Sequence, residues 1–219
     1  MKTSNINREE SKKRLLKAAL QCFSEQGFKK TTIRTIAQHA NMNIGFISYY
    51  FGDKAGLYRA VCSESMSELE QDFSLYSQSH LTLRQSLAGL ISSFLKPMKL
   101  GKPVQQYMHL YFREMLEPNG EWAQEIDQNI RLVHASLLTV LGRHLGVKIV
   151  DDPLHRLAFS ISGLALHMYV TRDVVQAIQP HLLTGPESID IWAAQIVAQA
   201  EAMVGIEAMR RNNDVTKLH

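Results

Sequence analysis

The chain has 219 residues, of which 45% are hydrophobic and 21% are charged, and its formal net charge is +3. This length suffices for a substantial core. We expect no apolar run long enough to span a membrane and no secretory leader. Two cysteines, Cys22 and Cys62, fall on separate predicted helices, which excludes a disulfide-rich secreted domain and favours the reducing cytoplasm.

Positive charge is concentrated near the N-terminal end. Residues 1–60 hold eleven Lys and Arg against four Asp and Glu, a net charge of +7, whereas residues 61–219 hold thirteen against seventeen, a net charge of −4. A basic segment of this kind is typical of proteins that contact phosphates. It is also typical of an ordinary solvated surface, so charge alone leaves both interpretations open.

The first predicted helix starts at a capping-box-like pair, Asn7 and Glu10, and stops at Gly27. Hydrophobic residues recur along it at helical spacing and predict one buried face. These residues are Leu15, Leu16, Ala19, Cys22 and Phe23.

Two short helices separated by a tight polar turn follow. The second predicted helix covers residues 33–40, with Thr32 as its N-cap, and the turn covers residues 41–43. The third predicted helix runs over residues 44–50, with Asn43 as its N-cap. This arrangement is typical of a helix-turn-helix.

The third predicted helix presents aromatic side chains to solvent. Because Ile47 and Phe51 are its apolar anchors, the face that points away from the core carries Gly45, Phe46 and Tyr49, flanked by Ser48 and Tyr50. Such a face is unusual in an isolated domain but suits a DNA major groove, where Phe46 meets thymine methyl groups and tyrosine hydroxyls reach phosphates. Other pairs of short amphipathic helices share this pattern, so the pattern alone does not decide.

A fourth helix is predicted to begin at Asp53, which caps it. Lys54 in its first turn is expected to place a cation and free backbone amides beside a phosphate. Gly45, which lacks a side chain, is expected to let the backbone approach the nucleic acid closely.

The stretch from Thr31 to Lys54 resembles the helix-turn-helix of the TetR family of bacterial transcriptional regulators. The matching residues are Thr31, Thr32, Ile33, Arg34, Ile36, Ala37, Met42, Asn43, Gly45, Tyr49, Tyr50, Phe51 and Lys54. Asn41 stands where the family usually has glycine and tolerates the same left-handed backbone, whereas Phe46 and Ser48 alter the DNA-reading face. The resemblance implies a dimer that binds operator DNA and leaves it when a small molecule binds a second domain.

The pattern and the resemblance together predict ten residues that contact DNA. They are Thr32, Arg34, Asn43, Ile44, Gly45, Phe46, Ser48, Tyr49, Tyr50 and Lys54. A two-fold dimer reads two half-sites about one helical turn or a multiple apart, so we expect a palindromic operator. Binding should weaken steeply with salt.

Helical patterning continues beyond residue 80, without a strand-period segment of useful length. Thr82 with Gln85 forms a capping box, and Asp152 with Pro153 gives a cap followed by a first-turn proline. Further helices are predicted over residues 104–116, 122–145, 153–178 and 187–209. The predicted fold is all-α with about nine helices: a three-helix DNA-binding domain joined to a larger helical-bundle domain for effector binding and dimerisation.

Two later segments, 111–118 and 157–165, resemble the C-terminal domain of the CecR-like branch of the same family. The resemblance implies that helices 153–178 and 187–209 form the dimer, with small residues allowing close approach. Those small residues are Ser160, Ser162, Gly163, Ala165, Ala193, Ala194 and Ala198. The predicted domains are 8–68 for DNA binding, with its motif at about 31–51, and 80–209 for ligand binding and dimerisation, with flexible tails at 1–7 and 210–219.

Methionine and aromatic residues of the middle helices suit an apolar effector pocket. The predicted lining consists of Met108, Tyr111, Phe112, Met115, Trp122, His134, Leu138, Phe159, His167 and Met168. His134 and His167 are the expected polar contacts. The same residue types fill ordinary cores, and core packing is the alternative for each of them.

Enzymatic interpretations find little support. The sequence has no HExxH, CxxC, glycine-rich phosphate loop or nucleophile elbow, so no metal and no cofactor are predicted. The prediction is a cytoplasmic, homodimeric, ligand-released repressor. Two alternatives stay open: an effector-independent or architectural DNA-binding protein, and a helical enzyme with an incidental helix-turn-helix.

Overall fold

The computed structural model describes residues 2–67, 73–121, 123–185 and 187–216. Within these residues the protein has ten α-helices and no strand, which confirms the all-α prediction with one helix more than expected. The helices are α1 Lys2–Lys30, α2 Ile33–His39, α3 Gly45–Phe51, α4 Lys54–Ser67, α5 Leu83–Leu95, α6 Lys102–Leu116, α7 Ala123–Leu145, α8 Asp152–Val170, α9 Arg172–Ile178 and α10 Ser188–Thr216. Three 3₁₀ helices cover Phe73–Ser77, Lys96–Lys99 and Pro180–Leu183.

The chain folds into two compact units. The first comprises residues 1–70 and 100–127, and the second comprises residues 71–99 and 128–219. The two predicted domains, residues 8–68 and 80–209, therefore differ from the two units in one respect. Helix α6, expected in the second domain, packs against α1 and α4 in the first unit.

The core of the first unit is built on the predicted apolar face of α1. All five predicted residues of that face are buried. Phe23 packs edge-on against Tyr58 of α4, with ring centroids 4.9 Å apart. Gly27 has a φ of 76°, which interrupts the helix where the sequence predicts its end.

Two hydrogen-bonding groups of α6 hold it within this unit. Arg113 donates to the main-chain carbonyls of Ser24 and Glu25 near the end of α1, at 3.3 and 3.2 Å. Glu114 is buried and accepts a hydrogen bond from the Tyr58 hydroxyl of α4 at 2.8 Å. These neighbouring side chains explain why α6 joins α1 and α4.

Both termini are more helical than predicted. Helix α1 begins at Lys2 instead of at a cap on Asn7, and α10 continues to Thr216. Neither 2–7 nor 210–216 contains Pro or Gly, so no residue stops the helix. The segments predicted as flexible tails are thus helical wherever the structure describes them.

The predicted single helix over 153–178 is divided in two. Helix α8 ends at Val170, and Thr171 leaves the helical conformation with φ −104° and ψ 9°. The Thr171 hydroxyl donates to the main-chain carbonyl of His167 at 2.8 Å. Side-chain hydrogen bonds of this type compete with the backbone hydrogen bonds of a helix and bend it. No Pro or Gly near Thr171 indicates this break in the sequence.

The second unit buries its core between α5, α7, α8 and α10. The predicted capping box of Thr82 and Gln85 is confirmed at the start of α5. Asp151, one residue before the predicted cap, caps α8 and accepts a hydrogen bond from the Leu154 amide at 2.9 Å. Arg211 of α10 donates to both Asp151 carboxylate oxygens, and these hydrogen bonds lower the pKa of Asp151 to about 2.

Helix α10 is apolar on two sides. Contrary to the sequence-based expectation, one helix among the described residues, over Ser188–Asn213, is long and apolar enough by length and composition to span a membrane. One side packs into the core of the second unit through Ile189, Ile196, Val197, Ala200 and Val204. The opposite side carries small and apolar residues on the surface, which accounts for the apolar composition.

Candidate DNA-binding surface

The turn between α2 and α3 caps the C-terminal end of α2. Asn41 has a φ of 50°, the left-handed conformation predicted for it. The Asn41 amide donates to the Gln38 carbonyl at 3.0 Å, and the Met42 amide donates to the Ala37 carbonyl at 2.9 Å. This pair of bonds is the Schellman arrangement, so the turn forms without glycine.

Side-chain caps fix the start of both short helices. The Thr32 hydroxyl accepts a hydrogen bond from the Thr35 amide at 3.1 Å, which confirms Thr32 as the N-cap of α2. Asn43 Oδ1 accepts a hydrogen bond from the Gly45 amide at 2.8 Å. Because Ile44 already has helical backbone angles, Asn43 serves as the predicted cap of α3.

Helix α3 has one buried side and one exposed side. Ile47 is fully buried, whereas Tyr49 is 65% exposed and Ile44 and Phe46 are each 42% exposed. The Tyr50 ring is half-buried and lies 6.1 Å from the Phe46 ring, in a stacked arrangement. Also exposed are Thr32, Arg34, Asn43, Gly45 and Ser48.

The junction between α3 and α4 is held by backbone contacts. Gly52 has a φ of 80° at the end of α3. The Gly56 amide donates to Asp53 Oδ1 at 2.7 Å, so Asp53 caps α4 as predicted. A Cβ on Gly56 would lie 2.0 Å from the Phe51 carbonyl oxygen. The end of α3 and the first turn of α4 therefore approach as closely as glycine permits.

The ammonium of Lys54 is hydrogen-bonded within the first unit, and its contact with a DNA phosphate stays a prediction. Its ammonium donates to the main-chain carbonyls of Phe28 and Thr31 at 2.9 and 3.1 Å. It also lies 4.3 Å from the centroid of the Phe28 ring. Carbonyls at a helix end lack helical partners, and Lys54 satisfies those that follow Gly27. Lys54 is thus a positioning residue for α1 and α4.

Two arginines of α1 contribute to this surface and were not predicted. Arg14 donates to the Ala40 carbonyl at the end of α2, at 2.8 Å. The guanidinium carbon of Arg8 lies 5.5 Å from the centroid of the Tyr49 ring. The excess of basic residues was the only sequence signal for either, because periodicity does not indicate where a long side chain reaches.

The predicted effector residues do not form one pocket within either unit. Met108, Tyr111, Phe112 and Met115 lie on α6 in the first unit, whereas His134, Leu138, Phe159, His167 and Met168 lie on α7 and α8 in the second. Phe159 is 60% exposed and Met168 is buried in the core. Burial raises the pKa of Tyr111 to about 12. Trp122 lies outside the described residues.

The two histidines predicted as polar effector contacts already have partners. His134 Nε2 lies 2.9 Å from Nδ1 of His155, and the His134 ring stacks on Phe159 at 4.2 Å between centroids. Burial, with the charge of His155, lowers the pKa of His134. His167 Nε2 lies 3.1 Å from the Thr171 hydroxyl.

An apolar cavity lies elsewhere in the second unit. Its volume is about 50 Å³, and it is lined by residues of α5, α7 and α8. Its lining consists of Leu87, Leu90, Ile91, Phe94, Val133, Leu137, Ile161, Ser162 and Ala165. The one hydroxyl in this lining, of Ser162, donates to the Ala158 carbonyl at 3.0 Å. None of the predicted effector residues is part of it.

Comparison with known proteins decides the family. The model of the C-terminal domain of CecR, an HTH-type transcriptional dual regulator, matches residues 83–206. The model of the tetR family of bacterial regulatory proteins matches residues 15–61. The chain belongs to the TetR family. It is therefore a DNA-binding transcriptional regulator and not an enzyme, which removes the enzymatic alternative.

Relatives within the TetR family share most of the length of the chain. The HTH-type transcriptional regulator BetI of Burkholderia cenocepacia (strain HI2424) is 26% identical over 164 residues, covering 73% of this chain and 82% of its own. The hemolysin II transcriptional regulator HlyIIR has the same fold, with a TM-score of 0.60, 20% identity and coverage of 88% and 97%. SmeT in complex with triclosan gives a TM-score of 0.60, with 17% identity and coverage of 87% and 91%.

Proposed function

We propose that this TetR-family protein is a cytoplasmic, homodimeric repressor that binds a palindromic operator and is released by a small apolar molecule. The observation that carries the DNA-binding site is the outward face of α3, where Ile44, Phe46 and Tyr49 are exposed on a helix anchored by buried Ile47. A helix of this kind enters the major groove with its N-terminal residues against the base edges.

The exposed side chains divide into two kinds of contact. Ile44 and Phe46 offer apolar surface that suits thymine methyl groups. Hydroxyls of Ser48 and Tyr49 and the guanidinium of Arg34 suit phosphate oxygens. The half-site should therefore contain thymines opposite the first turn of α3.

The proposed dimer uses the exposed sides of α8 and α10. Small residues recur there at helical spacing, with Ser160 and Gly163 on α8 and Ala194 and Ala198 on α10 exposed. Larger apolar residues extend the same sides, namely Phe159, Val170, Ile191, Ile206 and Met209. Of the other small residues predicted for the interface, Ser162 is half-buried and Ala165 and Ala193 are buried within their own chain.

The proposed effector site is the apolar cavity between α5, α7 and α8. At about 50 Å³ it is smaller than the roughly 150 Å³ cavity that holds benzene in an engineered protein. A ring-sized ligand therefore requires the lining side chains or helices to move apart, and a ligand that binds only the expanded state shifts the population towards it. SmeT, a neighbour in fold, forms a complex with triclosan.

Replacing Phe46 by alanine tests the DNA-reading face. We expect operator affinity to fall by about 1.5–3 kcal/mol, because the apolar side chain of Phe46 is no longer buried against the thymine methyl groups. The probe is a duplex selected by the protein from sheared genomic DNA, titrated by fluorescence anisotropy. Replacing the thymines of each half-site by deoxyuridine removes only their methyl groups and should weaken wild-type binding.

A double-mutant cycle gives the decisive control. If Phe46 contacts a thymine methyl group, deoxyuridine should cost the Phe46→Ala variant much less than it costs the wild type. Leu116→Ala, which removes an exposed apolar side chain from α6, should leave affinity unchanged. Equal losses from deoxyuridine in wild type and Phe46→Ala would contradict the assignment.

Filling the cavity tests ligand release. Ala165→Val adds two methyl groups to the lining without adding a polar atom. Uncharged aromatic molecules, with triclosan first, should raise the melting temperature of the wild type and release its DNA. A ligand at 100 times its Kd stabilises the protein by about 2.7 kcal/mol.

The variant should bind DNA normally but lose both responses, because the ligand can no longer enter. If wild type and Ala165→Val respond equally to the same ligand, the effector site is elsewhere. If none of the aromatic molecules raises the melting temperature of the wild type or releases its DNA, the alternative of an effector-independent DNA-binding protein gains support.

A further inference from the structure

Arg8 holds a cation over the exposed tyrosines of α3. Its guanidinium carbon lies 5.5 Å from the Tyr49 ring centroid and 6.0 Å from that of Tyr50. Arg8 itself is exposed, and Tyr49 is 65% exposed. The cation and the aromatic DNA-reading side chains therefore occupy one continuous surface.

This cation comes from outside the helix-turn-helix. The TetR family model begins its match at residue 15, whereas α1 begins at Lys2. Arg8 thus lies on α1 ahead of the residues that the family model matches. Its contact with the Tyr49 ring links the start of α1 to α3.

Arg8 is not neutralised by a carboxylate of the described residues. Other arginines form ion pairs, as Arg59 does with Glu121 and Arg84 with Glu201, but Arg8 has no ion pair within 4.0 Å in that part of the chain. A guanidinium carries five N–H donors in one plane and no acceptor. Such a group binds phosphate oxygens in a bidentate manner.

We propose that Arg8 contacts a backbone phosphate at the edge of the half-site read by α3. The Tyr49 and Tyr50 rings position the guanidinium beside α3. When α3 enters the major groove and contacts the bases, Arg8 therefore reaches the phosphate at the same time. This inference rests on the proposed DNA-binding function and adds a contact outside the family motif.

The salt dependence of DNA binding tests the proposal. Each phosphate neutralised by the protein contributes about 0.9 to the slope of log K against log salt concentration. Arg8→Ala should therefore lower the magnitude of this slope by about 1 per bound subunit and weaken binding several-fold at 0.1 M salt. The loss should be the same for the selected duplex and for a random-sequence duplex of equal length.

Two further variants serve as controls. Lys17 is exposed on α1 nine residues after Arg8, which at about 100° per residue places it on the opposite side of the helix. Lys17→Ala removes the same charge and should leave the slope unchanged. Arg8→Lys keeps a cation and should keep the slope, with weaker binding because the bidentate geometry is lost.

The outcomes separate this inference from the proposed function. A wild-type slope in Arg8→Ala, with or without weaker binding, would overturn the phosphate contact, because a purely structural role in holding Tyr49 leaves the charge count unchanged. An equal fall in slope for Lys17→Ala would overturn it as well. If the wild type binds neither duplex, the proposed function fails and the phosphate contact fails with it.

Discussion

Replacing Gly56 by alanine is expected to lower the stability of the first unit and to abolish specific DNA binding. The added Cβ would lie 2.0 Å from the carbonyl oxygen of Phe51 and 3.2 Å from its carbonyl carbon. These are backbone atoms, so no side-chain rotation can relieve the clash. The first turn of α4 must therefore move away from the end of α3.

Overpacking of this kind costs about 1–3 kcal/mol or more. For a chain of this length each kcal/mol lowers the melting temperature by about 2–4 °C. The displacement also affects function, because Asp53 caps α4 through the Gly56 amide, and α3 is anchored at the same junction. We expect a melting temperature lower by about 5 °C. Affinity for the selected duplex should fall to that for random DNA.

Gly142→Ala provides the matched control. Gly142 lies in α7, where an added Cβ would approach no atom closer than 3.4 Å beyond its own helical turn, and its φ is not in the left-handed region. Alanine there should be neutral or stabilising by up to about 1 kcal/mol, because it favours the helix. Equal melting temperatures and equal DNA affinities for the two variants would contradict the proposed role of Gly56.

Replacing Glu114 by alanine is expected to be the most destabilising change in the contact between α6 and α4. The buried Glu114 carboxylate accepts hydrogen bonds from the Tyr58 hydroxyl at 2.8 Å and from the Asn119 amide and side-chain nitrogen at 2.6 and 2.7 Å. Burial raises the pKa of Tyr58, so its hydroxyl stays protonated and remains a donor. Alanine leaves this buried donor without its acceptor.

Hydrogen bonds to a charged group contribute about 1.5–3 kcal/mol, and an unsatisfied buried donor costs about 1–3 kcal/mol. We therefore expect Glu114→Ala to lower the free energy of unfolding by about 3 kcal/mol, measured by urea unfolding. Glu117→Ala serves as the control, because it removes an exposed carboxylate next to the end of the same helix. It should change the free energy of unfolding by less than about 0.5 kcal/mol.

The Tyr58→Phe variant completes a double-mutant cycle. Because the Tyr58 hydroxyl and the Glu114 carboxylate interact directly, the double variant should lose less than the sum of the single losses. Strictly additive losses would show that the hydrogen bond contributes nothing. A Glu114→Ala loss as small as that of Glu117→Ala would contradict the account of how α6 is held.

Local chemistry made the helix-turn-helix predictable. Thr32 and Asn43 cap their helices through bonds to residues two or three positions away, and Asn41 adopts the left-handed turn. Such interactions depend on neighbouring residues, which the sequence displays directly. The buried position of Ile47 follows equally from helical periodicity.

Long-range contacts were not predictable in the same way. Lys54 was expected at a phosphate, but the fold brings it to carbonyls 23 and 26 residues earlier in the chain. The place of α6 in the first unit depends on Arg113 and Glu114, whose partners lie far away in sequence. Composition likewise suggested a pocket from Met and aromatic residues without indicating which helix faces meet.

Selection of sheared genomic DNA by the purified full-length protein tests whether the chain is a dimeric operator-binding regulator. Such a regulator should enrich a few fragments that share an inverted repeat, with half-site centres about 10–10.5 base pairs or a multiple apart and thymines within each half-site. Enrichment should be lost with Gly56→Ala. Recovery of fragments without any shared sequence, or of a motif that lacks two-fold symmetry, would contradict a dimeric operator-binding regulator.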